Sequence, residues 1–290
     1  MTPNEEFFNM ERSHAKTQIC MMKLLMMAVV VLTTIKGFSQ VEGTTVSMVS
    51  MSALAYQDME QDVFSSLNII SSAANIKKIQ AGIYFENRFM AKGIVKGQCA
   101  LSLPLKKAGI GIAADYEGFH KMNFIGVSGG YGMKITDKIN VGLKLETGRI
   151  KFPLQNNKFL IGYQAGFIFK VNEKTTLGVH LTKRHSPSLY KSVNHTGFYM
   201  INAGIGHIIN ENVFISCEII KVKNTSAFIS PYVNWNIGEF FHLQFGLLQP
   251  LNNGYIGLGW KTTKGNIRLS FASHSHLGLS ESISLINDFN

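Results

Sequence analysis

The chain has 290 residues and a formal net charge of +10, yet only 16 % of its residues are charged, well under the roughly 25 % of soluble chains. With 27 Gly and 20 Phe against 6 Pro, and no apolar run of spanning length, this composition favours a membrane barrel over a soluble domain. The Lys and Arg are scattered over turns and strand ends rather than gathered in a patch, which argues against nucleic acid as a partner.

Residues 1–20 are polar. Met21-Met22-Lys23 then opens the apolar run Leu24 to Leu32, followed by Thr33-Thr34-Ile35-Lys36-Gly37-Phe38-Ser39-Gln40. A charged start, a short apolar core and small residues at the end read as a secretory signal peptide cleaved near Ser39 or Gln40. The run is shorter than the roughly 20 residues a spanning helix needs. Residues 1–39 are therefore expected to be leader and signal, with the true start at Met21 or Met22. Cys20 precedes the apolar core and cannot be a lipoprotein acceptor. Residues 40–77 do not alternate; a small, apolar stretch with a helix or turn is expected there, placed as a hatch inside the lumen.

From residue 78 onward the sequence alternates. Val141, Leu143 and Leu145 stand against Asn140, Gly142, Lys144 and Glu146; Ile161, Tyr163, Ala165 and Phe167 against Gly162, Gln164 and Gly166. Ile256, Leu258 and Trp260 oppose Gly257 and Gly259. Period two marks strands. A soluble sandwich carries many charges and few glycines on its open face. Here that face is Gly, Asn, Gln and His, which fits a barrel with apolar groups toward lipid and small or polar groups toward a lumen. A tight polar turn centred on Asp137 recurs at Glu173 and Glu211, and more loosely at Glu239, the mark of an up-and-down meander.

The prediction is an all-β fold: a closed antiparallel transmembrane β-barrel of about 14 strands over 78–290, with a short N-terminal hatch segment. The expected strands are 78–89, 94–104, 108–117, 122–135, 138–150, 158–171, 174–183, 196–209, 212–221, 226–237, 239–248, 253–262, 265–273 and 280–287. Six tight turns fall on one rim, expected to be periplasmic, and the longest link, Arg184 to His195, falls on the other. Tyr84, Phe89, Phe119, Phe152, Phe198, Tyr232, Trp235 and Trp260 are expected as interfacial girdles. Cys99 and Cys217 share parity with apolar neighbours and are expected as small unpaired residues on the wall.

Asp62-Val63-Phe64-Ser65-Ser66-Leu67-Asn68, then Ile79-Gln80-Ala81-Gly82-Ile83-Tyr84-Phe85-Glu86-Asn87-Arg88-Phe89, resembles the opening of PorV/PorQ-type outer-membrane barrels, which are related to the FadL fatty-acid transporters. Ala100-Leu101-Ser102-Leu103-Pro104 and the repeated turns extend the likeness over about 45–290. The resemblance implies a fourteen-stranded barrel with an N-terminal hatch (here Asp62, Phe64 and Asn68) and either uptake of hydrophobic molecules or a role beside type IX secretion. The family's Asn-Pro-Ala hatch motif is replaced by Asn68-Ile69-Ile70, without proline.

No nucleophile elbow, phosphate-cradling loop or Cys-x-x-Cys is present, so neither enzyme activity nor a cofactor is expected. His274 and His276, with His185 and His195, are read as solvated loop histidines and not as a metal site. Glu86, Arg88, Asp115, Lys144, Glu146, Gln164, His180, His242, Gln244 and Arg268 are the expected lumen-facing set, where opposite charges pair and either hold a plug or simply stabilise the closed wall. The expected location is the outer membrane after export. The expected partners are outer-membrane lipid and a hydrophobic small molecule or, for a scaffold, a secreted protein cargo.

Overall fold

A computed structural model describes residues 53–57, 61–153, 157–185, 198–223, 225–249, 253–275 and 277–289. The signal-peptide expectation, and His195 and His276, lie outside these residues. Among the described residues no helix is long and apolar enough to cross a membrane.

Fourteen antiparallel strands form a closed barrel: β1 (Ile79–Asn87), β2 (Val95–Leu105), β3 (Ala108–Phe119), β4 (Met122–Thr136), β5 (Ile139–Lys151), β6 (Lys158–Lys170), β7 (Thr175–His185), β8 (Phe198–Asn210), β9 (Val213–Val222), β10 (Ala227–Ile237), β11 (Phe241–Leu248), β12 (Asn253–Thr262), β13 (Gly265–His274) and β14 (Gly278–Phe289). Each strand pairs with its chain neighbour, and β1 closes on β14 from Ile79↔Phe289 to Asn87↔Glu281. Closure leaves no row of unpaired backbone groups, which hydrocarbon could not solvate. The strands match the expected spans to within a few residues, because alternation and turn chemistry carried both signals together.

Alternation sets the two faces. Ile83, Phe85, Leu143, Leu145, Ile161, Leu258 and Trp260 are 46–66 % exposed on the outside, a continuous apolar surface of the kind lipid solvates. Cys99 and Cys217 share this outward parity and are free. Trp235 and Trp260 also face out, and Trp260 stacks on Phe241 at 6.1 Å between centroids. Two expected girdle residues do not belong to it. Tyr84 and Tyr232 are 2 % and 1 % exposed on the inward face, since their parity is that of Gly82 and Asn234, not of the lipid-facing set.

The short connections β2–β3, β4–β5, β6–β7, β8–β9, β10–β11 and β12–β13 share one rim with both ends of the sheet. The two register shifts, Lys134/Thr136 in β4–β5 and Ile208/Asn210 in β8–β9, lie beside turns of this rim. In the β6–β7 turn, Asn172 Oδ1 accepts from the backbone N–H groups of Lys174 and Thr175, which is why Asn recurs at these turns.

Residues 61–76 run inside the barrel. Helix α1 (Val63–Asn68) is followed by a 3-10 turn over Ile70–Asn75. Asp62 caps α1: its side chain accepts from Ser65 N at 2.7 Å, while Ser65 Oγ accepts from Asp62 N at 3.0 Å. That reciprocal box fixes a helix too short to persist alone. The helix is buried on every side, with Val63 and Phe64 at 0 % exposure, as expected of a segment enclosed by the wall. Ile69 N donates to Ser65 O at 3.0 Å. A proline in place of Ile69 would lose that bond.

Candidate functional site

The inner wall is glycine-rich where the N-terminal segment touches it. A Cβ on Gly82 would lie 2.8 Å from Val63 and Phe64; on Gly111, 2.9 Å from Leu67; on Gly132, 2.4 Å from Ile70 O; on Gly142, 2.6 Å from Ser71 N. On the other arc, Cβ atoms on Gly178 and Gly204 would meet the Tyr56 ring at 2.6 and 2.4 Å. The glycines of the alternating pattern are thus the seat of the inner segment: each missing side chain lets backbone or ring approach the sheet.

Polar wall residues tether the segment. Arg268 Nη2 on β13 donates to Asp62 Oδ2 at 2.9 Å, both side chains under one-tenth exposed. Lys144 Nζ on β5 donates to Leu67 O at 2.6 Å. Gln164 on β6 does both jobs of an amide: Nε2 donates to Asn68 O at 2.8 Å and Oε1 accepts from Ile70 N at 3.2 Å. Asn140 donates to Asn75 at 3.0 Å, and Tyr56 OH donates to Glu218 Oε1 at 2.6 Å. Burial and the neighbouring Glu218 carboxylate raise the Tyr56 phenol well above its ordinary titration range, so Tyr56 remains the donor.

The predicted residues divide between two groups. Lys144, Gln164 and Arg268 touch the inner segment, as do Asp62 and Asn68 from its own side; Phe64 packs edge-on against Tyr84 with centroids 6.1 Å apart. Glu86 accepts from Tyr84 OH at 2.5 Å. Arg88 pairs with Glu117, which Lys96 also reaches at 3.7 Å. Asp115 accepts from Gln98 at 2.6 Å, and Glu146 pairs with Arg184 at 3.1 Å. Gln244 joins Asn234 and Tyr255 at 3.1 and 3.0 Å. His180 and His242 are 3 % and 2 % exposed on the same inward face. His274 packs edge-on against Phe89 and its Nδ1 accepts from Leu277 N at 3.2 Å.

Alternation did not single out two features. The first is Glu218, whose inward parity with Ser216 was available in the sequence. The second is an apolar inward arc. Ile220 and Val222 of β9, Phe228 and Tyr232 of β10, and Leu248 of β11 form one buried cluster with Leu54, Tyr56 and Ile69 of the inner segment. This arc extends to the loop ends of its strands. The arc from β1 to β7 carries the wall pairs Lys96–Glu117 and Glu146–Arg184 instead. At the short-turn rim a cleft of about 470 Å³ opens between Gln57 and the wall residues Lys138, Lys170, Asn172, Thr176 and Ile208.

No family model and no curated protein matches the chain. Solved structures do. The toluene transporter TbuX of Ralstonia pickettii superposes with a TM-score of 0.62 at 9 % identity, covering 86 % of this chain and 99 % of that one. The toluene transporter TodX of P. putida gives 0.60 at 9 % identity, covering 80 % and 95 %. A Pseudomonas aeruginosa FadL homologue gives 0.53 at 10 % identity, covering 82 % and 98 %. The fold is therefore that of the FadL-type fourteen-stranded barrels; no sequence match carries the finer likeness to PorV and PorQ.

Proposed function

We propose that the chain is an outer-membrane barrel, exported by its signal peptide, that passes a hydrophobic solute passively through a lumen gated by residues 40–77. The observation that carries this reading is the apolar inward arc of Ile220, Val222, Phe228 and Leu248, which joins the loop ends of β9–β11 to the tethered segment. A water-filled pore has no use for such a wall, whereas an apolar solute loses its hydration against it. Toluene transporters among the superposing structures support the same solute class. The step involves no bond chemistry and no cofactor: solute reaches the arc, the segment yields, and the tethers re-form behind it.

A second reading follows from the tethers themselves. Hydrogen bonds from four strands, one of them a buried ion pair, also fit a permanently plugged barrel that serves as a scaffold for type IX secretion or display of cargo protein. Uptake separates the two. Cells whose outer membrane carries the barrel should accumulate labelled toluene or a long-chain fatty acid faster than cells lacking it, and Phe228→Asp should abolish the gain. Equal accumulation with and without the barrel supports the scaffold.

A further inference from the structure

The outer face holds a second pattern that the lumen does not explain. On the described strands every outward-facing Lys or Arg lies on β5, β7 or β9, at the loop end: Arg149 and Lys151, Lys183, and Lys221. All four are exposed. Below them the outward positions are mainly apolar: Leu143 and Leu145 on β5, beneath Thr147, Val179 and Leu181 on β7, and Ile219 on β9. On the two intervening strands the same level is aromatic. Tyr163 of β6 and Tyr199 of β8 both pair with Lys183, and the Lys223 ammonium stands 5.9 Å from the centre of the Tyr199 ring. The outward strand positions of β10–β14 and β1–β4 carry no cation among the described residues, and Glu281 is their one acid.

The height of these cations is informative. Arg149, Lys183 and Lys221 come about eight to ten residues into their strands; at about 3.3 Å per residue and a tilt of about 40° that is about 20–25 Å from the short-turn rim, the height of a barrel's apolar band. The cations therefore begin where hydrocarbon ends. Alternate strands are about 10 Å apart, so the three cationic strands span about 20 Å of one arc. Charges spread evenly around the rim would serve solubility. Charges confined to one arc, interleaved with aromatics and set above an apolar wall, match a ligand with an anionic head and acyl chains.

We propose that the loop-end arc of β5–β9 is a binding surface for an anionic, phosphate-bearing lipid of the surrounding leaflet, its head group on Arg149, Lys151, Lys183 and Lys221 and its chains along Leu145, Leu181 and Ile219. The proposal rests on the barrel spanning a bilayer, not on any solute passing through it. The phosphate offsets repulsion among the cations, of which Lys221 also donates to Thr225 O, and the chains cover a wall that must be covered in any case. A juxtamembrane cation contributes about 1 kcal/mol toward an anionic surface, about fivefold in affinity.

The test is lipid selectivity. The full chain is reconstituted into phosphatidylcholine vesicles doped with spin-labelled phosphatidic acid or spin-labelled phosphatidylcholine, and the motionally restricted fraction of each is read by electron paramagnetic resonance. The wild type should favour the phosphatidic acid label by about fivefold or more, less so in high salt. Combined Arg149→Gln, Lys151→Gln, Lys183→Gln and Lys221→Gln should abolish the preference, while Lys106→Gln, Lys107→Gln, Lys138→Gln and Lys264→Gln on the opposite rim should keep it. No preference in the wild type, or an equal preference in both variants, overturns the proposal. A barrel that does not enter the vesicles at all overturns the membrane reading as well, so the two failures are distinguishable.

Discussion

Asp62 divides its two carboxylate oxygens between two tasks: Oδ1 accepts from Ser65 N inside the cap of α1, and Oδ2 accepts from Arg268 Nη2 across the lumen. One side chain thus couples the start of the inner helix to strand β13, which lies 206 residues away in sequence. Both partners are buried. Removing one charge from such a pair costs about 3–5 kcal/mol, chiefly because the other is left uncompensated. Arg268→Ala should therefore loosen the segment, raising hydrogen exchange at Ser65, Ser66 and Ile69 by about 100-fold or more while the wall strands stay protected. Asp62→Asn keeps a cap acceptor but leaves the Arg268 charge uncompensated, and should loosen the segment by a similar amount. Unchanged exchange in Arg268→Ala would show that the pair does not hold the segment.

The glycine seat predicts a non-additive pair. Gly204→Ala places a methyl 2.4 Å from the Tyr56 ring and should displace residues 53–57, at a cost of about 1–3 kcal/mol for overpacking. Tyr56→Leu removes the ring and should make the same Gly204→Ala change nearly neutral, so a double-mutant cycle returns a coupling of at least about 1 kcal/mol. Gly129→Ala, whose Cβ meets nothing within 4 Å, is the matched control and should show no displacement. The readout is proteolysis of the inner segment in the detergent-folded barrel; additive effects would contradict the seat.

Burial first and the Glu218 charge second hold the Tyr56 phenol well above its ordinary titration range when the segment is seated. A raised pKa stabilises the seated form fully below pH 10, and the contribution is lost as pH rises through the seated value. Release of the segment should therefore steepen above about pH 10 in the wild type. Tyr56→Phe should lose the bond to Glu218 at all pH values and show no such steepening. Identical pH curves for the two proteins would exclude the phenol as the group responsible.

Most of the wall was legible because two independent signals agree in it. Strand alternation gives parity, and the Asn- and Asp-bearing turns give register; in β5, Leu143 and Leu145 against Lys144 and Glu146 leave one orientation open. The inner segment was legible only as a break in alternation. What it touches depends on contacts between positions such as Asp62 and Arg268 or Tyr56 and Gly204, and no local pattern encodes these. The apolar arc escaped for a further reason. Ile219-Ile220 and Lys221-Val222 put apolar groups on the inward face next to outward Ile or Lys, so period two fades where lumen and lipid ask for the same chemistry. Tyr84 and Tyr232 misled because both stand mid-strand at inward parity, where an aromatic fills the lumen and not a girdle.

The arc itself can be probed one residue at a time. Phe228 and Ile220 are 2 % and 1 % exposed within the cluster. Ile220→Val trims a single methylene and should leave passage almost unchanged. Phe228→Asp sets a charge on the apolar side and should slow passage of an apolar solute by at least about tenfold, since an uncompensated buried charge costs several kcal/mol. Heat-modifiable gel migration of each variant reports whether the barrel has closed, separating a blocked route from a misfolded wall.

The most direct test of the central claim is uptake of labelled toluene by cells bearing the wild type, the Phe228→Asp variant or no barrel. Faster accumulation is expected in the wild type alone, with the variant folded and present in the membrane at the same level. Accumulation in wild-type cells no faster than in cells without the barrel would contradict it.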